Sequence, residues 1–400
     1  MRICGIVCEY NPFHTGHRAQ FDAIRARLGS DCAVVCCMSG NFVQRGEAAL
    51  APKHLRAESA LRSGADLVLE LPLPWALSSA EGFAHAAVSI LDASGAVTDL
   101  AFGAEDAELS RLWPLADAAL EKSTVDATLE HLESGIPYAR ARERALHAVL
   151  HGEADLLQRP NNILAIEYLK ALRRLQSPIR PLALPRTGAG HDGESSGGFA
   201  SATWLRARLR AGEWEKARPY LPDSSFALLQ QAAQQGGLLL SPERLECALL
   251  PALLRMDVGE LAALPGASEG LEHRLYDAIR RSRGFDELWQ TAKTKRYPAS
   301  RLRRMLLCAY LGVTAADQAQ PVPYIRVLGM SQAGRALLRD MAEKSALPVV
   351  TRPAQIKLLS APARALFDRE VLADDLYRFA LPCWRQERAG DSWRRQAVIL

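Results

Sequence analysis

Two histidines three residues apart, His14 and His17, follow an apolar segment at the start of this 400-residue chain. The apolar residues 3–8 predict a buried strand, and a helical pattern follows over residues 18–27. Gly16, between the histidines, lets the backbone approach a ligand closely. The unpaired N–H groups of a helix's first turn favour phosphate, and imidazole donors stabilise charge that develops on a phosphoryl group. The segment therefore predicts phosphoryl chemistry on a nucleotide, without a covalent intermediate.

The elements around this pair alternate between strand and helix. Apolar strand-like runs lie at 3–8, 32–38, 67–71 and 99–102, and helical runs lie between them at 18–27, 53–63 and 80–91. This alternation predicts a parallel, doubly wound α/β sheet. Ligands bind such sheets beyond the carboxyl ends of the strands. We therefore expect four loops to converge on one pocket: 14–17, 39–47, 72–75 and 103–106.

The rest of the chain is mainly helical in pattern. Helical runs cover 109–151 and 163–175, a strand is predicted at 179–184, a Gly/Ser-rich mobile lid at 187–198, and a helix from Ser201 through Arg210. Short elements at 324–329 and 347–351 are expected within the helical part. The predicted division is a catalytic domain over residues 1–212 and a mainly α-helical domain over residues 213–400.

Composition excludes several classes of protein. With 48% hydrophobic and 24% charged residues the chain can bury a large core, and a net charge of +4 restricts any polyanion binding to local patches. The eight cysteines lack the paired C-x-x-C spacing of a zinc site, so we expect reduced core residues and no structural metal. No signal peptide and no membrane span is evident, which predicts a cytoplasmic protein.

The stretch EYNPFHTGH at residues 9–17 resembles the adenylyl-binding signature of the HIGH-type nucleotidylyltransferases, and more narrowly that of bacterial tRNA(Met) cytidine acetate ligases. Further stretches resemble this family in the same order: MSGNFVQRGE at 38–47, GADLVLELP at 64–72, FGAE at 102–105, NNILAIEYL at 161–169, KTKRY at 293–297 and RVLG at 326–329. The resemblance covers nearly the whole chain. It implies a Rossmann-like nucleotidylyltransferase domain with a mainly helical C-terminal domain that recognises tRNA.

The resemblance also implies the reaction. Members of this family make acetylcytidine at the wobble position of elongator tRNA(Met), from acetate and ATP. Acetate first attacks the α-phosphate of ATP, giving acetyl-adenylate and pyrophosphate, and the exocyclic amine of cytidine then takes the acetyl group and releases AMP. ATP is expected to bind together with Mg²⁺.

Site residues carry over from the family position by position. His14 and His17 are the expected catalytic residues. The expected ATP contacts are Val7, Cys8, Glu9, Tyr10, Asn11, Pro12, Phe13, His14, Thr15, Gly16, His17, Arg18, Ala19, Gln20, Gly103, Asn161 and Arg186. Adjacent Asn162 is an alternative to Asn161, and phosphate contact by Arg186 is favoured over a solvated role.

Two further groups have alternative interpretations. Ser201, Thr203 and Arg206 form an S/T-x-x-R helix start, which is either a phosphate site or a plain N-cap. The loop 44–47 and Lys53 are placed to reach triphosphate or RNA. Arg56 and Arg62 have the spacing of an exposed helix face and are left out of the site.

A basic run in the C-terminal half predicts RNA binding, with a solvated helix face as the alternative. Its members are Lys293, Lys295, Arg296, Arg301, Arg303 and Arg304, with Tyr297 among them.

One departure from the family concerns residues 188–193, which lack a tyrosine, so no role is carried over to His191. The chain also lacks a K-M-S-K-S loop, which argues against an aminoacyl-tRNA synthetase. Two alternatives to the ligase remain: an adenylyltransferase that acts on a small phosphate-bearing molecule, and a non-catalytic RNA-binding protein.

Overall fold

A computed structural model describes residues 2–134, 136, 138–186, 198–268, 270–294, 297–386 and 388–400. The strands are β1 (Ile3–Cys8), β2 (Ala33–Ser39), β3 (Phe42–Val43), β4 (Glu47–Ala48), β5 (Leu67–Leu71), β6 (Asp99–Ala104), β7 (Arg180–Pro185), β8 (Ile325–Met330), β9 (Val349–Val350) and β10 (Val398–Ile399). The predicted strands of the N-terminal half are thus confirmed to within two residues.

The α-helices surround these strands. They are α1 (Thr15–Leu28), α2 (Lys53–Arg62), α3 (Leu73–Ala76), α4 (Ala80–Ala93), α5 (Leu109–Ala118), α6 (Lys122–Glu133), α7 (Tyr138–Leu150), α8 (Pro160–Arg174), α9 (Ala202–Arg210), α10 (Trp214–Ala217), α11 (Asp223–Gln234), α12 (Glu243–Leu254), α13 (Val258–Ala262), α14 (Leu271–Arg281), α15 (Phe285–Ala292), α16 (Ala299–Leu311), α17 (Ala315–Gln318), α18 (Gln332–Lys344) and α19 (Ala361–Phe379). Short 3₁₀ turns lie at His151–Gln158, Arg218–Tyr220, Pro353–Leu358 and Asp391–Trp393.

The main sheet has the strand order β10-β8-β5-β2-β1-β6-β7, and β9 pairs with β8. Its N-terminal strands are parallel, as predicted, because helical crossovers return the chain to the same edge. β1 lies in the middle, so the loop that follows it meets the loops after β6 and β7 at one edge. The small hairpin β3–β4 stands apart from this sheet, within the loop after β2.

Each face of the sheet is covered by its own hydrophobic core. On one face, α4 and α8 pack with Val7, Phe102 and Tyr168. On the other, α1 and α2 pack with Cys8 and Leu184. Successive strand residues point to opposite faces, which explains why neighbouring residues of β1 belong to different cores.

The C-terminal part builds a helical core of its own and also returns to the sheet. Helices α12 to α16 pack around leucines together with α19, and this core includes Phe42 of the hairpin. β8 then pairs antiparallel with β5 and brings β9 and β10 into the sheet. The expectation that residues 324–329 and 347–351 belong to a separate helical domain is therefore wrong, since β8 is fully buried in the sheet. The proposed boundary at residue 212 stays a prediction.

Buried charges join these two parts. Lys53 on α2 is 1% exposed, and its ammonium group lies 2.6 Å from Glu70 on β5 and 2.8 Å from Asp374 on α19. Arg326 on β8 contacts the other oxygen of Glu70 at 2.9 Å. The expectation that Lys53 reaches triphosphate or RNA is wrong, because its charge is neutralised inside the protein.

Candidate nucleotide site

A cavity of about 630 Å³ opens at the carboxyl ends of β1, β6 and β7. Its lining includes most of the predicted ATP contacts and all three residues of the predicted S/T-x-x-R site. These residues are Val7, Cys8, Glu9, Tyr10, Asn11, His14, Gly16, His17, Ala19, Gln20, Gly103, Asn161, Arg186, Ser201, Thr203 and Arg206. The sheet topology thus gathers side chains that are up to 199 positions apart in sequence.

Three of the four loops expected at this pocket contribute to it, and one does not. Loops 14–17 and 39–47 contribute lining residues, and loop 103–106 contributes Gly103. The loop 72–75 does not line the cavity, because it forms the buried helix α3 and Trp75 donates a hydrogen bond to the carbonyl of Gln318. Its place is taken by the segment that follows β7. The predicted lid at 187–198, including His191, lies outside the described residues except for its last position.

His14 and His17 form the N-terminal cap of α1. The backbone N–H of Gly16 donates to Nδ1 of His14 at 3.1 Å, and the N–H of His14 donates to Nδ1 of His17 at 3.2 Å. This reciprocal arrangement caps the helix in the manner of a capping box. The two rings stack with their centroids 3.7 Å apart.

These hydrogen bonds assign the tautomer of both rings. Because each Nδ1 accepts a backbone N–H, the neutral ring carries its proton on Nε2. Burial, with the nearby charge of Arg186, lowers the pKa of His14 to about 3. Burial first, and then the charges of His14 and Arg186, lowers the pKa of His17 well below its usual range. Both imidazoles are therefore neutral donors at neutral pH, beside the positive end of the α1 dipole.

The structure separates the two neighbouring asparagines. Asn161 lines the cavity, and its Oδ1 accepts a hydrogen bond from Arg186 at 2.6 Å. Asn162 is completely buried, where its Oδ1 accepts the N–H of Asp106 and its Nδ2 donates to the carbonyl of Leu156. Asn162 is thus a structural residue, and only Asn161 can reach a ligand in the cavity. Burial lowers the pKa of Arg186, although its guanidinium remains charged at neutral pH.

The predicted capping role of Ser201 is confirmed, and its phosphate contact stays a prediction. Ser201 caps α9, since its hydroxyl accepts the N–H of Trp204 at 3.2 Å, and it also lines the cavity. Arg206 is 7% exposed and donates to the carbonyl of Asn11 at 2.9 Å, while it pairs with Glu47 at 3.1 Å. Arg206 therefore fixes the backbone of the signature segment against the hairpin, in addition to its place in the lining.

Arg56 is buried next to the site, contrary to the expectation of an exposed, solvated side chain. It is 1% exposed, and it donates to the carbonyls of Glu9, Ser39, Gly40 and Ala51. This one guanidinium thereby holds the ends of β1 and β2 together. Arg62 is exposed and pairs with Glu58 one turn earlier, as its spacing predicted.

Four predicted ATP contacts do not line the cavity. They are Pro12, Phe13, Thr15 and Arg18. Phe13 is 1% exposed and packs against Tyr10 and His17, which places it behind the histidines in the core.

Several lining residues were missed. Among them are Phe83, Phe102, Ile163, Leu164, Tyr168, Phe199 and Ser300. Three of these belong to the stretch NNILAIEYL, whose resemblance to the family was the available signal. Phe102 likewise begins the stretch FGAE. Phe83 carried no such signal, because an apolar residue on a helix usually indicates a packed core.

The basic run lies beside this cavity, and part of it is held by the protein itself. Arg304 donates to the carbonyl of Gln44 at 3.2 Å, Arg303 pairs with Glu47 at 3.5 Å, and Arg301 donates to the carbonyl of Gly266. These contacts favour a structural role for Arg301 and Arg304. Lys293 is exposed.

Lys295 and Arg296 lie outside the described residues. RNA contact by any member of the basic run stays a prediction.

Within the described ranges, no group of three or more His, Cys, Asp or Glu side chains is arranged to hold a metal ion. Nor does any described helix combine the length and the apolarity that crossing a membrane requires.

Comparison with known proteins agrees with this geometry. The profile of the HIGH Nucleotidyl Transferase family matches residues 1–391. The chain is 37% identical to the tRNA(Met) cytidine acetate ligase of Thermoanaerobacter sp. (strain X514), covering 95% of this chain and 96% of that one. It is 33% identical to the enzyme of the same name from Fervidobacterium nodosum, covering 100% and 99%.

Solved structures give the same result. The crystal structure of Thermotoga maritima TmcAL bound with alpha-thio ATP superimposes with a TM-score of 0.93 at 31% identity, and its apo form with 0.94 at 32%, each over 100% of both chains. Signature, fold and full-length similarity together show that the chain belongs to the tRNA(Met) cytidine acetate ligase family of HIGH nucleotidyl transferases.

Proposed function

We propose that this protein uses acetate and ATP to acetylate the wobble cytidine of elongator tRNA(Met), forming acetylcytidine, AMP and pyrophosphate. The observation that carries this proposal is the pair of neutral, Nε2-protonated histidines at the start of α1, in a chain with full-length similarity to enzymes of that name. That pair suits an attack on the α-phosphate, where negative charge grows on the phosphoryl oxygens.

In the first half-reaction, an acetate oxygen attacks the α-phosphorus of ATP and pyrophosphate leaves. The Nε2–H groups of His14 and His17 donate to the α-phosphoryl oxygens, and the N-terminus of α1 adds its dipole. Because both rings are held by the hydrogen bonds of the helix cap, little reorganisation is needed when the charge develops.

Arg186 and the start of α9 bind the leaving pyrophosphate. Asn161 orients the Arg186 guanidinium through its 2.6 Å hydrogen bond, and Ser201 presents the helix N-terminus. The adenosine lies along α1, over Gly103. The space beside this glycine is open, since a Cβ there would meet no protein atom within 4 Å.

In the second half-reaction, the exocyclic amine of cytidine attacks the acetyl carbon and AMP leaves. The tRNA is held by basic residues of the C-terminal half, with exposed Lys293 as one phosphate contact. A tRNA partner implies that the reaction takes place in the cytoplasm.

Mg²⁺ is proposed to arrive with ATP. The described residues do not provide a group of three metal-ligating side chains, so the ion would be held by the phosphates and water.

The test is acetate-dependent conversion of ATP to AMP and pyrophosphate by the purified protein, with and without elongator tRNA(Met), followed by mass analysis of the tRNA nucleosides. Acetylcytidine together with AMP is the expected result. Pyrophosphate release that depends on a phosphorylated small molecule instead of acetate would favour an adenylyltransferase. Tight tRNA binding without ATP consumption, unchanged in His17→Ala, would favour a non-catalytic RNA-binding protein.

A further inference from the structure

The lining of the cavity divides between the two faces of the sheet. On the face of α1, Ala23 and Leu184 line it together with the open side of Gly103. On the opposite face, the lining consists of apolar and aromatic residues from α4, β6 and α8. These are Ala80, Phe83, Phe102, Ile163, Leu164 and Tyr168, which we call the aromatic wall. The cavity therefore has two compartments, one on each face of the sheet.

Glu9 also lines the cavity, directly after β1. One of its carboxylate oxygens accepts the backbone N–H of Gln44 at 2.8 Å, and its own carbonyl accepts a hydrogen bond from Arg56. Tyr168 lines the same cavity as Glu9. Burial above all raises the pKa of its phenol, with the charges of Cys8 and Glu9 adding to the rise. The Gln44 hydrogen bond thus fixes the carboxylate in the cavity that it shares with the aromatic wall.

A carboxylate in this position suits an amine better than ATP. Next to the triphosphate it would repel like charge, whereas carboxylates accept hydrogen bonds from the exocyclic amine of cytosine. Flat aromatic side chains such as Phe83 stack on nucleobases, and Phe102 and Tyr168 add rings whose centroids lie 5.7 Å apart. Enzymes that modify a base commonly receive it unstacked, in a pocket with apolar walls.

We propose that the aromatic wall is the acceptor pocket for the target cytosine and that Glu9 takes the proton from its exocyclic amine during acetyl transfer. This inference rests on the function proposed above and names residues for its second half-reaction. The amine nitrogen bonds to the acetyl carbon, and the bond from that carbon to the AMP phosphate oxygen breaks, its electron pair leaving with AMP. One amine proton moves to the Glu9 carboxylate, which later passes it to water.

The environment of Glu9 suits this role. Burial raises its pKa above the usual carboxylate range, while the Gln44 N–H and the charges of Arg45, Arg206 and Arg56 oppose the rise. The carboxylate is consequently a stronger base than an exposed one, and it is ionised above its raised pKa. The transfer rate should therefore increase with pH and then level off.

The test separates the two half-reactions in Glu9→Gln, which keeps the acceptor for the Gln44 N–H. Acetate-dependent exchange of pyrophosphate into ATP measures the first step. Single-turnover acetylation of tRNA(Met) from synthetic acetyl-adenylate measures the second. Loss of a general base costs about 10²- to 10⁴-fold, so we expect transfer to fall by at least 100-fold more than exchange. Glu9→Asp should recover part of the loss, and the rise of the transfer rate with pH should disappear in Glu9→Gln.

Glu58→Gln, which changes a surface carboxylate paired with Arg62, is the matched control. Phe83→Leu tests the wall separately, and should raise the tRNA concentration needed for half-maximal transfer about tenfold without changing the Km for ATP. Equal loss of both steps in Glu9→Gln, or an unchanged transfer rate, would overturn the proposal. If the wild-type protein makes no acetylcytidine, the proposed function fails instead.

Discussion

His14 combines a structural and a chemical role, and the structure allows these to be separated. Its Nδ1 caps α1 by accepting the Gly16 N–H, while its Nε2–H is available to the cavity. Replacing it by asparagine keeps a cap acceptor, since asparagine is among the best N-cap residues, but removes the donor. Replacing it by alanine removes both. The pair His14→Asn and His14→Ala therefore distinguishes capping from catalysis.

The expected magnitudes differ between the two roles. Loss of one preorganised donor to a developing oxyanion costs about 10²- to 10³-fold in rate, so both variants should lose that much in acetate-dependent pyrophosphate exchange. Loss of an N-cap costs about 0.5–2 kcal/mol, so only His14→Ala should show that decrease in the free energy of unfolding. Urea titration of both variants measures the second quantity.

The exchange rates of the two variants decide whether the His14 ring takes part in the chemistry. If His14→Asn keeps more than a third of the wild-type exchange rate while His14→Ala loses it, the ring serves only to form the helix start. If both variants unfold at lower urea, the asparagine does not replace the cap, and the rates must be compared under conditions where each variant is folded.

Three further outcomes are expected. First, the pKa of His14 is about 3 in the folded protein against 6.5 when unperturbed, so the unfolded chain binds its proton first as the pH falls below 6.5. Because of His14, the free energy of unfolding measured by urea titration should be up to about 2 kcal/mol lower at pH 5 than at pH 7. This decrease should be smaller in His14→Asn. Second, Asn162→Ala should cost about 1–3 kcal/mol of stability, because it leaves buried backbone groups unpaired, whereas Asn161→Ala should mainly raise the Km for ATP; the opposite pattern would reverse their assigned roles. Third, Lys53→Met should destabilise the fold by about 3–5 kcal/mol, since it leaves Glu70 and Asp374 buried without that partner; a thermal melt like that of the wild type would show that the buried network is dispensable.

The sequence by itself determined the local features of the N-terminal half. Apolar runs predicted β1 and β5 at their observed bounds, and the H-x-G-H spacing predicted the ligand-facing start of α1. These features are local, because strand and helix periodicity and the first turn of a helix depend on residues a few positions apart. Most of the ATP contacts that the family resemblance implied also line the cavity.

Only the tertiary structure decided which polar side chain serves which purpose. Arg56 has the spacing of a solvated helix face, and Lys53 was predicted to reach triphosphate or RNA. Both are buried, because their partners come from other strands and from α19, more than 300 residues away for Asp374. Asn161 and Asn162 are chemically identical, and the direction of each side chain from α8 is what separates them. Tertiary packing likewise returns β8 to the sheet, between β5 and β10. Burial and long-range pairing are properties of the assembled fold, whereas periodicity is a property of the chain.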